Sequence, residues 1–331
     1  MMDRAGERTL RLLIAPIQGW LDDPLVTEIC INRPGEVWVE RRGDWQAHAV
    51  PALDVGMLDA TATLAAAMTS QDVGPDRPLC ATALPDGQRM QICRPPAVGP
   101  DLVSLTIRRP SSFRPTLTGL EGKGLFDAAA GRTGGDATIA GAWHAKNVRA
   151  FLAGAVLARR NILICGATSS GKTTLARALI EEIPPGERLI TIEDTPEWDA
   201  IPHLNRVALF YSKGDQGSAQ VRTEDLLEAS LRMRPDRVLM QELRDGAAFA
   251  YLRGVVAGHP GSITTLHAQS TAGAFDALRL MVRQHPAGAT LADADVRELL
   301  SQMVDIVVHC ERCGNAFTVD GLWWKEAEDA A

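Results

Sequence analysis

The residues with the most evident chemistry stand together in one run, Gly166-Ala167-Thr168-Ser169-Ser170-Gly171-Lys172-Thr173-Thr174. The apolar stretch Asn161-Ile162-Leu163-Ile164-Cys165 precedes it, and a helical spacing of Leu175, Ala178, Leu179 and Ile183 follows. Strand, glycine loop and helix in that order are the context a phosphate-binding loop requires. Glycine lets the backbone wrap close to an anion, so that successive N–H groups and the helix N-terminus point at phosphate oxygens. Lys172 adds a point charge for the β and γ phosphates, and Thr173 a hydroxyl for Mg²⁺. A bound nucleoside triphosphate is therefore the expected ligand of residues 166–174.

Three further clusters close strand-like runs, and in open α/β sheets ligands sit outside the carboxyl ends of strands. Ile192-Glu193-Asp194-Thr195-Pro196-Glu197 offers carboxylates that could position water or a metal, or form a solvated acidic turn. Arg237-Val238-Leu239-Met240-Gln241-Glu242 is an apolar strand ending in an acid. Such an acid binds Mg²⁺ through water or polarises the attacking water. Gly258-His259-Pro260-Gly261-Ser262-Ile263-Thr264-Thr265-Leu266-His267-Ala268 ends in a histidine able to hydrogen-bond a γ-phosphate and report its loss. A structural histidine is the plainer alternative there, and the spacing from the other clusters favours the sensing role.

The elements that must carry these clusters follow from pattern. A chain of 331 residues suggests two domains. Between Val26 and Val50 short strands alternate with the turns Arg33-Pro34-Gly35 and Arg42-Gly43-Asp44. Asp54 can cap a helix bearing Leu58, Ala62, Ala65 and Met68. A hairpin through Pro85-Asp86-Gly87 and a strand over Leu102–Ile107 complete an antiparallel α+β domain, residues 1–112. Residues 113–142 have little periodicity and read as a linker with at most one short helix. From 143 to 331, strands alternate with helices, which implies a mainly parallel sheet with right-handed crossovers.

Bulk properties narrow the function. A formal charge of −7 disfavours nucleic acid as the main partner, so no sequence-specific binding is expected. No apolar run approaches the ~18 residues of a membrane span, and the N-terminus lacks the apolar core of a secretory signal. Leu10, Leu13, Ile14, Ile17 and Leu21 fall on one helical face, expected to point into the core; peripheral association with a membrane or partner is the alternative. The six cysteines are scattered, and the single pair Cys310/Cys313 lacks the second pair a zinc site needs. It reads as a hairpin turn through Gly314-Asn315, in a reducing compartment.

Taken together, the four clusters resemble the traffic ATPases of bacterial type II and type IV secretion and pilus systems, with Leu231–Arg237 running into Glu242-Leu243-Arg244 as a further match. The N-terminal half is similar to the type IV secretion branch, in Val26–Glu40, in Leu84-Pro85-Asp86-Gly87-Gln88-Arg89 and in Val103–Ser111. The resemblance implies an N-terminal α+β domain and a C-terminal RecA-type ATPase domain, with ATP between them. It also implies a cytoplasmic homohexamer, peripheral at the inner membrane, working with other type IV secretion components. Lys172 and Thr173 would bind phosphate and Mg²⁺, Glu193 would be the activating carboxylate, Glu242 the second acid and metal ligand, and His267 the γ-phosphate sensor. Arg89 and Arg108 match arginines that reach the phosphates, where a guanidinium suits transition-state charge. Where the family usually has glycine before the second acid, this chain has Gln241. A type II or pilus motor, a slowly hydrolysing docking scaffold and a nucleic-acid translocase are the rival readings; the first lacks support because the type II four-cysteine zinc element is missing.

Overall fold

The structure, a computed structural model, describes residues 4–110, 134–212, 221–256, 258–314 and 316–328. Two sheets organise it. The first comprises β1 (Val26–Ile31), β2 (Glu36–Arg41), β3 (Asp44–Ala49), β4 (Leu79–Ala83), β5 (Arg89–Cys93) and β6 (Ser104–Arg108), all antiparallel in the order β3-β2-β1-β6-β5-β4. The helix Val55–Met68 begins where Asp54 accepts a hydrogen bond from the Met57 N–H at 2.7 Å. Its Leu58, Ala62 and Ala65 face join Ile29, Ile92 and Ile107 of the sheet in one core.

The N-terminal apolar stripe lies in that same core. Leu10, Ile14, Ile17 and Leu21 are almost fully buried, although the helix Arg4–Leu13 stops before Pro16 and resumes as Gln18–Asp22. Proline offers no N–H to an i→i−4 bond, so the chain turns there and still keeps the apolar side inward.

The second sheet comprises β7 (Ile162–Gly166), β8 (Leu189–Glu193), β9 (Arg206–Phe210), β10 (Arg237–Met240), β11 (Ile263–Leu266), β12 (Ile306–Cys313) and β13 (Ala316–Trp324). Its order is β13-β12-β7-β11-β10-β8-β9, parallel except for the β12–β13 hairpin. Helices cover both faces, so β7, β8, β10 and β11 are buried throughout and read as unbroken apolar runs. Most of the expected linker lies outside the described residues. Its last part does not: the helix Gly134–His144 packs Ile139 into the second core, and Trp143, Phe151 and Trp324 stack with ring centroids 5.2–5.5 Å apart. The alanines and glycines around Ile139 carry almost no apolar period, which is why pattern alone did not place that helix on the sheet.

The two sheets meet through Arg188, which is fully buried just before β8. Its guanidinium donates to Asn32 Oδ1 at 2.7 Å, to Asn205 Oδ1 at 2.5 Å and to the Met233 carbonyl at 2.9 Å, with Thr106 Oγ1 at 3.4 Å. Arg234 reaches Glu40 across the same junction.

Candidate nucleotide site

Strand β7 delivers the chain into the loop, and the glycines there are dictated by space. Gly166 has φ 154°, and a Cβ on it would stand 2.3 Å from the Cys310 carbonyl oxygen and 2.4 Å from Ser170 Oγ. Gly171 has φ 91°, the left-handed region, and caps the helix Lys172–Glu181 with no side-chain acceptor. The first N–H groups of that helix therefore point at the loop without a side-chain cap, as an anion site needs. Among the described residues, buried Ser170 Oγ has no hydrogen-bond partner. Lys172 is only 8% exposed, and its ammonium donates to the Gly166 and Ala167 carbonyls at 2.9 and 2.7 Å. Burial lowers its pKa, and the charge of Glu242 opposes that shift. A backbone cradle that tolerates no Cβ, uncapped N–H groups and a buried ammonium suit a phosphate chain. The Thr173 hydroxyl and the Glu242 carboxylate are hard oxygen donors of the kind Mg²⁺ takes.

Glu242 follows β10, two strands from β7. Arg237 anchors the start of that strand, donating through Nε and Nη2 to the two carboxylate oxygens of Glu187 at 2.8 and 3.0 Å. At the other end, Glu242 Oε2 accepts from Arg244 Nη2 at 2.6 Å, and His267 Nε2 lies 3.0 Å from Oε1. Arg244 also stands 3.8 Å from Asp194. Gln241, the departure from the family's glycine, is buried. Its Oε1 accepts from the Asp194 N–H at 2.9 Å, and its own carbonyl accepts from Thr265 Oγ1 at 2.8 Å. The side chain thus ties the acidic segment after β8 to the strand bearing Glu242, while the backbone of the same residue ties in β11.

Of the expected residues, the structure gathers Lys172, Glu242 and His267 at the carboxyl ends of β7, β10 and β11. It does not bring Glu193 to them. Glu193 is fully buried, Oε1 accepts from Thr191 Oγ1 at 2.6 Å, and Oε2 accepts the N–H groups of Glu197 and Trp198 at 3.1 and 3.2 Å. It closes the turn after its own strand, three inter-strand spacings (roughly 14 Å) from β7. Burial raises its pKa. Residue type alone shows neither the Arg244–Glu242 ion pair nor the hydrogen bond from the Asp194 N–H to Gln241.

Arg89 and Arg108 are cross-strand partners on β5 and β6, and both are exposed. Two like charges directly opposite each other cost stability unless an anion joins them. Among the described residues, no hydrogen bond or ion pair links either one to residues 166–174. Arg108 lies two residues from Thr106, which touches Arg188 at the amino end of β8, so the pair sits near the opposite edge of the second sheet from its own phosphate loop.

Beneath Arg108, 3.6 Å from its Nε, lies Glu28, which is 4% exposed and whose Oε2 has no hydrogen-bond partner among the described residues. Burial raises its carboxyl pKa to about 7, Arg108 and Arg234 lower it, and Glu40 raises it. The folded pKa lies above the ordinary 4.5, so stability present below that value is lost as pH rises through 7. Glu28→Gln is expected to raise Tm by about 2–6 °C at pH 8 and to leave it nearly unchanged at pH 4.5. Equal shifts at both pH values in a thermal melt would show that ionisation is not the cause.

A mainly parallel sheet with a phosphate loop after one inner strand, an acid after another and a histidine after the strand between them defines a RecA-type P-loop nucleoside triphosphatase. The family profile described as "Type II/IV secretion system protein" matches residues 139–328. Protein VirB11 of Agrobacterium fabrum is 45% identical over 95% of this chain and 93% of its own length, and the type IV secretion system protein VirB11 of Bartonella quintana is 42% identical over 94% and 91%. The crystal structure of the VirB11 ATPase of Brucella suis, in complex with sulphate, superposes with a TM-score of 0.91 at 38% identity, covering 99% of this chain and all of that one. The chain belongs to the VirB11 family of type IV secretion ATPases.

Proposed function

We propose that this chain hydrolyses Mg-ATP to ADP and phosphate at residues 166–174, and that a homohexameric ring of it, peripheral at the inner membrane, energises a type IV secretion machine. The observation that carries the site is the convergence of Lys172, Glu242, His267 and Arg244 at neighbouring strand ends. Lys172 exchanges its two loop carbonyls for β- and γ-phosphate oxygens and so stabilises charge that develops in transfer. Thr173 and Glu242 would hold Mg²⁺, which would neutralise charge on the phosphate oxygens. Glu242 orients the attacking water and accepts its proton, with Arg244 holding one oxygen of that carboxylate and His267 beside the other. Loss of the γ-phosphate removes a hydrogen-bond acceptor for His267, which transmits the change along β11 through Thr265 to Gln241. Glu193 holds the turn after β8, and this organises the acidic segment without touching the phosphates.

The same reading gives Arg89 and Arg108 a place across a subunit boundary. They lie near the edge of the second sheet opposite their own phosphate loop, so their paired guanidinium groups serve a neighbour's phosphates, where an arginine contributes ~10³-fold or more in rate. Mixed rings of Arg108→Ala and Lys172→Ala subunits are expected to recover part of the hydrolysis that each variant lacks alone. No recovery, with mixing verified by tagged pull-down, would place the arginines at their own chain's nucleotide. Parent rates in Arg89→Ala and Arg108→Ala would remove them from the site altogether.

A further inference from the structure

The hairpin of β12 and β13 is unused by the chemistry above, yet it overhangs the phosphate loop. Strand β12 runs beside β7 on the side away from β10, and its register with β7 ends at Cys310 opposite Gly166. Residues 311–314 and 316–318 therefore rise past the carboxyl edge of the sheet, the edge at which ligands of such sheets sit. Phe317, in that overhang, is 55% exposed. It nonetheless touches the loop: a Cβ on Gly171 would stand 2.9 Å from Phe317 Cγ. Its cross-strand partner Arg312 is held by an Nε bond to the Gly314 carbonyl at 3.0 Å and places its guanidinium carbon 5.9 Å from the Phe317 ring centroid.

The direction of a bound nucleotide follows from the groups already placed. Glu242 and His267 lie on the β10 and β11 side of the loop, so the γ end of the chain points there. The nucleoside then leaves on the β12 side, where the Phe317 ring stands beside the residue preceding Lys172. A flat aromatic face backed by a guanidinium is a stacking surface for a base. We propose that Phe317, backed by Arg312, is the platform for the adenine of ATP. This rests on the phosphate loop binding the triphosphate as set out above.

The test measures, on the full-length protein, Kd for ATP and for inorganic tripolyphosphate, together with KM, kcat and oligomeric state. Phe317→Ala is expected to raise Kd and KM for ATP by about tenfold, at the lower end of what base–aromatic stacking contributes. It should leave kcat and tripolyphosphate binding unchanged, and Phe317→Trp should restore ATP affinity. An unchanged Kd for ATP overturns the platform. An equal loss for both ligands also overturns it, since the ring would then only prop the loop. A shift in oligomeric state with Phe317→Ala overturns it in favour of a subunit contact. Lys172→Ala should weaken both ligands; if it weakens neither, the phosphate-loop reading fails, whatever Phe317 does.

Discussion

Lys172→Ala is expected to abolish measurable ATP hydrolysis, a loss of ~10³-fold or more. The side chain is buried, and among the described residues its ammonium donates to the Gly166 and Ala167 carbonyls. Removing it loses a tie from the helix Lys172–Glu181 to the loop and to Gly166 at the end of β7, and the variant is expected to fold and to keep its oligomeric state. The loss falls on the step in which charge moves onto the transferring phosphoryl group. Bound ATP loses its β- and γ-phosphate cation at the same time, so affinity falls as well. Phosphate release by the purified variant, with melting temperature as the folding control, checks this; near-parent release would remove Lys172 from the chemistry.

Glu242→Gln separates binding from turnover. Glutamine keeps the shape of the side chain and an acceptor for Arg244, but it can neither take a proton from water nor carry the negative charge. ATP affinity is expected to stay within a few fold of the parent, while kcat falls by about 10²-fold or more, the range for loss of a positioned general base. A variant that lost ATP binding while retaining kcat would show that Glu242 holds the nucleotide instead of driving its hydrolysis.

The carboxyl-end geometry was legible in the sequence because parallel strands buried on both faces leave unbroken apolar runs, and each run here ends in a chemically distinctive residue: Gly166, Glu242, His267. Antiparallel pairing in the first sheet was equally readable from turn residues such as Pro85-Asp86-Gly87 and from the cap at Asp54. The direction of side chains at strand ends was not. Glu193 and Glu242 are both acids that close an apolar strand, and only the fold shows one turned into its own turn and the other toward His267 and Arg244. Gln241 and Arg188 act through contacts 47 and 156 residues away in sequence, which no local spacing encodes. The placement of Phe317 depends on a hairpin that overhangs a loop about 146 residues earlier in the chain, a relation set by strand order alone.

Which carboxylate performs the chemistry is best tested by single-turnover hydrolysis of ATP bound in advance, followed by rapid quench, with Glu242→Gln and Glu193→Gln compared directly. Each variant's fold is confirmed by its melting temperature. Bound ATP should persist on Glu242→Gln for at least ~10² times longer than on the parent, whereas Glu193→Gln, though less stable for the loss of a turn acceptor, should convert it to ADP at close to the parent rate. Persistence of ATP on Glu193→Gln together with parent-rate conversion on Glu242→Gln would contradict the assignment of the catalytic acid.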